Sequence, residues 1–125
     1  MDEIIKGSLS GIKVLDFSTL LPGPLASLFL AETGAEVIKI ERPEVGDEIR
    51  TSYPKWGGQS ASFSMLNRGK KSLALDLKDP DSFKILKPLI KEADIIIEQF
   101  RPGVMKRLGL DYETLGKINK KLIKI

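Results

Sequence analysis

Hydrophobic and polar positions along this chain fall into blocks of two periods. IKVLDF (residues 12–17) is apolar or β-branched at nearly every position, the pattern of a strand covered on both faces of a parallel sheet. PLASLFLAETG then spaces Leu25, Leu28, Phe29 and Glu32 for a short helix, with Pro24 near its first turn and Gly34 suited to its C-terminal cap. AEVIKIERP returns as a strand, so residues 12–42 predict a β-α-β unit with parallel strands. Further on, KKSLALDLKDP alternates Leu73, Leu75 and Leu77 with Ala74, Asp76 and Lys78, the period of a half-covered strand. Asp79 is placed to cap the next helix and Pro80 to open it, with Phe83, Leu86, Leu89 and Ile90 on its apolar face. Pro88 inside that helix predicts a kink or a split near Lys87, because proline removes a ladder hydrogen bond. ADIIIEQF predicts another buried strand and VMKRL a short helix stopped by Gly109. DYETLGKINKK predicts a helix capped by Asp111, and LIKI the beginning of a strand. Residues 43–69 are rich in Gly, Pro, Ser and isolated charges without clear periodicity, and are expected to form a long functional loop.

The expected fold class is therefore α/β, an open, mostly parallel sheet with flanking helices. At 125 residues and 13.8 kDa, with 42% hydrophobic and 30% charged residues, the chain suits a single domain over 1–125 and no disordered or fibrous class. It has no Cys and no His, which excludes disulfides, a thiolate nucleophile, an imidazole base and Cys/His metal sites. The N-terminus lacks an apolar signal core. The longest apolar stretch, LLPGPLASLFLA, is interrupted by Pro22, Gly23 and Pro24, so a cytoplasmic protein with no membrane partner is expected. Residues 1–100 hold 13 basic and 15 acidic residues and residues 101–125 hold 7 and 2. The modest positive charge is thus confined to the tail, where solvated Lys on helix faces accounts for it.

Ligands in open parallel sheets bind beyond the carboxyl ends of the strands. Those ends carry the STLLPGP loop, Arg42, Lys78, Gln99, Phe100 and Arg101, with Arg107 a little further on. Such cations suit a ligand with several phosphates; the alternative is that each is merely solvated. Neither GxGxxG nor GxxxxGKS occurs, which disfavours ordinary NAD or ATP binding. Asp79 with Asp81, and Glu44 with Asp47 and Glu48, are expected as exposed caps or surface charge. Asp16 differs in lying on a core strand. Ser18, Ser62 and Ser64 have no His to activate them, so no hydrolase triad is available.

Three blocks in order, GIKVLDFSTLLPGPLASLFLAETGAEVIKIERPEVGDEIR, SFSMLNRGKKSLALDLKDPD and ADIIIEQFRPGVMKRLGLDYETLGKINKKLI, resemble the N-terminal part of the family III CoA-transferases (CaiB/BaiF type). That family includes formyl-CoA transferase, carnitine CoA-transferase and α-methylacyl-CoA racemase. The resemblance runs from Gly11 onward and implies an incomplete, Rossmann-like part of the family fold. It implies coenzyme A as substrate and no metal, with acyl-CoA and a carboxylic acid acceptor as partners. By the same resemblance the backbone of Leu21 and Pro22 faces the thioester end. Arg42, Lys78 and Arg107 match coenzyme A-contacting basic positions, and Leu75, Gln99 and Phe100 line the adenine and pantetheine path. The family's aspartate nucleophile falls beyond residue 125, as does the racemases' His and Asp pair, so no catalytic residue is assigned within the chain and it is expected to be inactive alone.

Leu21 stands where formyl-CoA transferase has glutamine, which disfavours a formyl or oxalyl substrate. Family subunits are longer interlocked dimers, so a fragment, a truncated product or one part of a split enzyme is expected, completed by a homodimer or a partner chain. The alternatives are an acyl-CoA racemase of the same family and, in another class, a non-catalytic structural or partner-binding module. A nucleic-acid binder is disfavoured because only Tyr112 interleaves with the tail's basic residues.

Overall fold

The computed structural model describes residues 7–125. Its elements run β1 (Lys13–Asp16), α1 (Pro22–Glu32), β2 (Glu36–Glu41), a 3-10 turn (Glu48–Thr51), β3 (Lys55–Trp56), β4 (Gln59–Ser60) and α2 (Ala61–Asn67). The chain continues through β5 (Lys71–Ala74), α3 (Pro80–Glu92), β6 (Ile95–Ile97), α4 (Val104–Arg107), α5 (Tyr112–Ile118) and β7 (Ile123–Lys124). One five-stranded sheet in the order β5-β2-β1-β6-β7 is parallel throughout, and β3 and β4 form a small antiparallel hairpin. The chain leaves β1 toward β2 and β5, then crosses back through α3 to β6 and β7. Beyond the carboxyl ends of β1 and β6 the connections therefore diverge, which is where an open α/β sheet forms its ligand crevice.

Period two along the strands decides what each face of the sheet becomes. Leu15 and Phe17 of the first strand segment and Ile40 of β2 face the α3 side, where they join Leu86 and Ile90 of α3, Ile96, Met105, Leu110 and Leu115 in the larger core. Ser82, Leu86 and Ile90, spaced by one helical turn, are the buried stripe of α3. Each fully buried aliphatic side chain here contributes roughly 1.5–3 kcal/mol. The opposite face, under α1, begins apolar with Val14, Val37 and Ile97. It then turns ionic: Asp16, Lys39 and Glu41 follow on the same side, 0%, 1% and 6% exposed. The register sets Asp16 opposite Lys39 and Lys39 opposite Ser72.

Residues 43–69 are structured. Asp47 caps the 3-10 turn, and Ser60 caps α2 by accepting from the Phe63 amide at 3.3 Å. The excursion is fastened to the sheet by charge. Lys39 Nζ lies 2.8 Å from Asp47 Oδ2, and Arg50 forks onto Glu41 at 2.8 and 2.7 Å. Lys70 Nζ reaches Pro24 O at 2.8 Å, Asn67 Oδ1 at 2.9 Å and Asp16 Oδ2 at 3.7 Å. The hydroxyls of Ser18 and Ser27 donate to the two oxygens of Asp16, and that of Ser72 to Glu41.

Two expectations need adjusting. Pro88 does not split α3, which runs unbroken across it; Pro88 is on the exposed side, where a lost ladder bond costs least because the freed carbonyl is open to solvent. Pro22 and Gly23, expected in a loop with Pro24, already lie in the first turn of α1, as fits proline's preset φ. Asp79 and Asp111 cap α3 and α5 as their positions predicted.

Burial by itself would raise the Glu41 carboxyl, but the donors Arg50, Ser72 and the Asp47 amide outweigh it and hold it at about 2, below its ordinary 4.5. Between those values the unfolded chain binds more protons than the folded one, so stability present near neutrality is lost as pH falls toward 2. Denaturant titrations should lose on the order of 3 kcal/mol through this group between about pH 5 and pH 2. Glu41→Gln should flatten that slope, and equal slopes in the two proteins would contradict the assignment. A second prediction concerns glycine. A Cβ at Gly23 of α1 would overlap the Ser18 side chain and sit 2.7 Å from Gln99 Oε1, whereas one at Gly116 of α5 meets nothing within 4 Å. Gly116→Ala should stabilise by about 0.5–1 kcal/mol. Gly23→Ala should reverse the sign and cost about 1–3 kcal/mol; thermal melts of both variants decide it.

Candidate functional site

The crevice beyond β1 and β6 is built around one short loop. After β1 the backbone turns through Ser18, Thr19 and Leu20 into α1, with Leu20 in the left-handed region at φ +64°. Gln99, just past β6, ties this turn down. Its Nε2 donates to Thr19 O at 2.7 Å and its Oε1 accepts from Gly23 N at 3.0 Å. Leu21, at the N-cap of α1, makes no side-chain cap, so Gln99 takes over one of the amides the helix start leaves open. Leu21 and Pro22 are exposed at this helix head. Beneath it, burial pushes the Lys70 ammonium down to about 8, opposed by Asp16 and reinforced by Lys39.

On the α3 side of the same strand ends lies a cleft of about 380 Å³ with apolar walls from Phe17, Ile40, Leu75 and Phe100, and with Arg42 and Lys78 among its lining residues. A second hollow of about 470 Å³ opens between the start of α3 and α4, where Phe83 and Leu86 meet Lys78 and Arg107. Leu77, Lys78, Val104 and Leu108 line both, so the two hollows adjoin and Lys78 stands at their junction. Gly103, at φ +87°, makes the tight turn that leads from the strand end into α4. Arg42 is 64% exposed in its side chain and 3.9 Å from Glu48 Oε1, an exposed pair of little intrinsic strength. The N-terminus of α3 already carries its own anion, since Asp79 Oδ1 accepts from the Asp81 amide at 2.9 Å. Exposed cations, and not that helix end, supply the positive charge along this trough.

The structure thus brings together Arg42, Leu75, Lys78 and Phe100 in one cleft, and Lys78 with Arg107 in its neighbour. Leu21, Pro22 and Gln99 line neither hollow; they sit at the adjacent head of α1, linked to the cleft through Thr19, which does line it. Arg101 is exposed and lines neither. Asp47, expected on an exposed turn, is wholly buried, unlike the exposed Glu44 and Glu48 beside it. The buried charges Lys39, Lys70, Asp47 and Glu41 are the residues that pattern reading missed. One signal for them exists: a lysine in the middle of EVIKI, on a strand covered on both faces, needs a buried partner. Among the described residues no helix is long and apolar enough to cross a membrane.

The model of CoA-transferase family III matches residues 9–125. The chain is 48% identical over 118 residues to acetyl-CoA:oxalate CoA-transferase of Acetobacter aceti, covering 94% of this chain and 30% of that protein. It is 42% identical over 116 residues to succinyl-CoA:glutarate CoA-transferase of Homo sapiens, covering 92% and 26%. The crystal structure of a CAIB/BAIF family protein from Brucella suis superimposes with a TM-score of 0.89 at 38% identity, covering 96% of this chain and 33% of that one. The chain spans about 30% of the length of these relatives. With the family match running across almost all described residues, and the parallel sheet superimposing on a solved member, the chain belongs to CoA-transferase family III.

Proposed function

We propose that this chain holds coenzyme A for an acyl-CoA:carboxylate CoA-transferase, using the trough between β2, β5, β6 and α4. The observation that carries the reading is the placement of Arg42, Lys78 and Arg107 along two adjoining hollows that also offer apolar surface from Phe17, Ile40, Leu75, Phe83 and Phe100, with the acidic Glu48, Asp76 and Asp79 among their lining residues. Coenzyme A carries about four negative charges, whose lost hydration needs cations in compensation. Arg42, Lys78 and Arg107 take the phosphates. Leu75 and Phe100 pack the adenine and pantetheine path, with Gln99 at its inner end. The backbone of Leu21 and Pro22 faces the thioester. As the phosphates enter, they displace Glu48 from Arg42, a small cost for an exposed pair.

The chemistry itself needs a carboxylate. It attacks the thioester carbonyl, and collapse of the tetrahedral adduct breaks the C–S bond, releasing coenzyme A as thiolate and leaving a mixed anhydride of the donor acid and the carboxylate. The thiolate then attacks the enzyme-side carbonyl, releasing the donor acid and leaving an aspartyl-CoA thioester that the acceptor acid resolves by the same steps in reverse. Asp16 and Asp47 lie nearest the loop in the fold's ionic layer, but both are 0% exposed, with oxygens engaged by Ser18, Ser27, Leu20, Ile49 and Lys39. Neither offers a nucleophile, in keeping with the family likeness that puts the reacting aspartate beyond residue 125. This chain's part is to keep the departing coenzyme A in place between the two attacks.

Transfer is favoured over racemisation because the relatives above are named as transferases. Their names share short dicarboxylates, which we take as the acceptor class. Oxalate is kept within that class because an oxalate transferase is 48% identical to this chain.

Isothermal titration with coenzyme A should show saturable binding that weakens as salt rises. Arg42→Ala, Lys78→Ala and Arg107→Ala should each weaken it about five- to twentyfold, the loss of one charge-assisted contact; affinities indifferent to all three substitutions would refute the site. A further prediction is that the 125-residue chain alone transfers no coenzyme A between acids in a discontinuous thioester assay. Turnover by the isolated chain would show that the nucleophile lies within it.

A further inference from the structure

Asp47 does more than cap a 3-10 turn. Its Oδ1 accepts from the Ile49 amide at 3.0 Å, which is the capping bond, and also from the Leu20 amide at 3.0 Å, twenty-seven positions away in sequence. Its Oδ2 lies 2.8 Å from Lys39 Nζ, and that ammonium donates to Ser18 O at 3.0 Å. Asp47 is 0% and Lys39 1% exposed. The pair therefore grips the turn after β1 from beneath, on the carbonyl of Ser18 and on the amide of Leu20. Leu20 is a non-glycine residue at φ +64° that is 42% exposed, so its own burial does little to hold that conformation. A left-handed backbone at such a residue persists when its surroundings over-determine it. Capping alone would be served by a neutral acceptor; the buried charge is matched by Lys39 and strengthens both amide bonds the carboxylate accepts.

From this geometry we infer that Asp47, held by Lys39, is a positioning residue that sets residues 19–22 in the shape the thioester end of coenzyme A meets. The inference rests on the coenzyme A reading above for its ligand, and on the loop contacts alone for its mechanism. Asp47 borders the cleft but, at 0% exposure, presents no free surface to a ligand, and it acts through Leu20. Its loss should be felt by ligands that extend to this turn and not by those that stop at the phosphates.

Two substitutions break the same link from opposite ends. Asp47→Asn removes the charge, and Leu20→Pro removes the donated N–H and the positive φ at an exposed position without touching the buried pair. In titrations on the full chain, both variants should bind coenzyme A about tenfold more weakly, the effect of losing one bond to a charged acceptor. Both should bind adenosine 3′,5′-bisphosphate, which lacks the pantetheine arm, as the wild type does. Equal weakening toward both ligands would mean a general structural role and would overturn the proposal, as would unchanged affinity for coenzyme A. A ligand-free arm separates this inference from the reading beneath it. By NMR hydrogen exchange, the Leu20 amide of Asp47→Asn should exchange at least about tenfold faster than in the wild type, with Leu15 of β1 unchanged. An unchanged Leu20 rate refutes the positioning role. Failure of the wild type to bind either ligand refutes the coenzyme A reading and leaves the exchange result to decide the role of Asp47 in the loop.

Discussion

The carboxyl-terminal half of the sheet face beneath α1 is ionic, and the arrangement around it depends on the charges there cancelling one another. Lys39 and Asp47 meet at 2.8 Å with almost no solvent, Lys70 approaches Asp16, and Arg50 forks onto Glu41. Burying any one of these charges alone would cost several kcal/mol. Paired and hydrogen-bonded, they act as fasteners. They hold the 43–69 excursion against β2, and they hold the turn after β1 from below. The coenzyme A trough proposed at the strand ends borders this layer, since Glu41 and Asp47 are among its lining residues, Arg42 follows directly from Glu41 and Thr19 directly from Ser18.

The division of labour between the faces explains how one small sheet carries both. The α3 side is largely apolar at its centre, through Leu15, Phe17, Ile40 and Leu75, so the cleft at its carboxyl end has surface suited to packing, with Arg42 and Lys78 among its charged lining residues. The α1 side spends its polar residues on internal pairing, leaving its buried carboxylates saturated and unreactive. Exposed cations at Arg42, Lys78 and Arg107 remain available to a ligand, since Arg42 has only a 3.9 Å contact with Glu48.

Much of the fold was legible in the letters, since period two and period 3.6 separate cleanly from residue 12 to residue 42 and again from residue 79 onward. Pro80, Asp79 and Asp111 mark helix starts through local chemistry that needs no tertiary context. The excursion was not legible, because α2 spans only seven residues and the segment is fastened by contacts distant in sequence, Lys39 to Asp47, Lys70 to Pro24 O and Arg68 to Glu32. Pro88 misled for the opposite reason: a local rule gave way to a helix packed firmly on its other side through Leu86 and Ile90. In the site, strand-end cations were readable because topology alone places them. The Lys39–Asp47 pair was not, since Asp47 sits in a sequence of charged turn residues indistinguishable by composition from its exposed neighbours.

The buried pairing also shapes how this sequence is able to vary. A lineage that replaces Asp47 first carries a stranded ammonium under α1, and one that replaces Lys39 first carries a stranded carboxylate. Only joint exchange, for example of both for apolar side chains of matching volume, avoids that unfavourable intermediate. Drift at Lys39, Asp47, Asp16 and Lys70 is therefore gated by co-occurrence, whereas Lys117, Lys120 and Lys121, each on open surface, are free to wander one at a time.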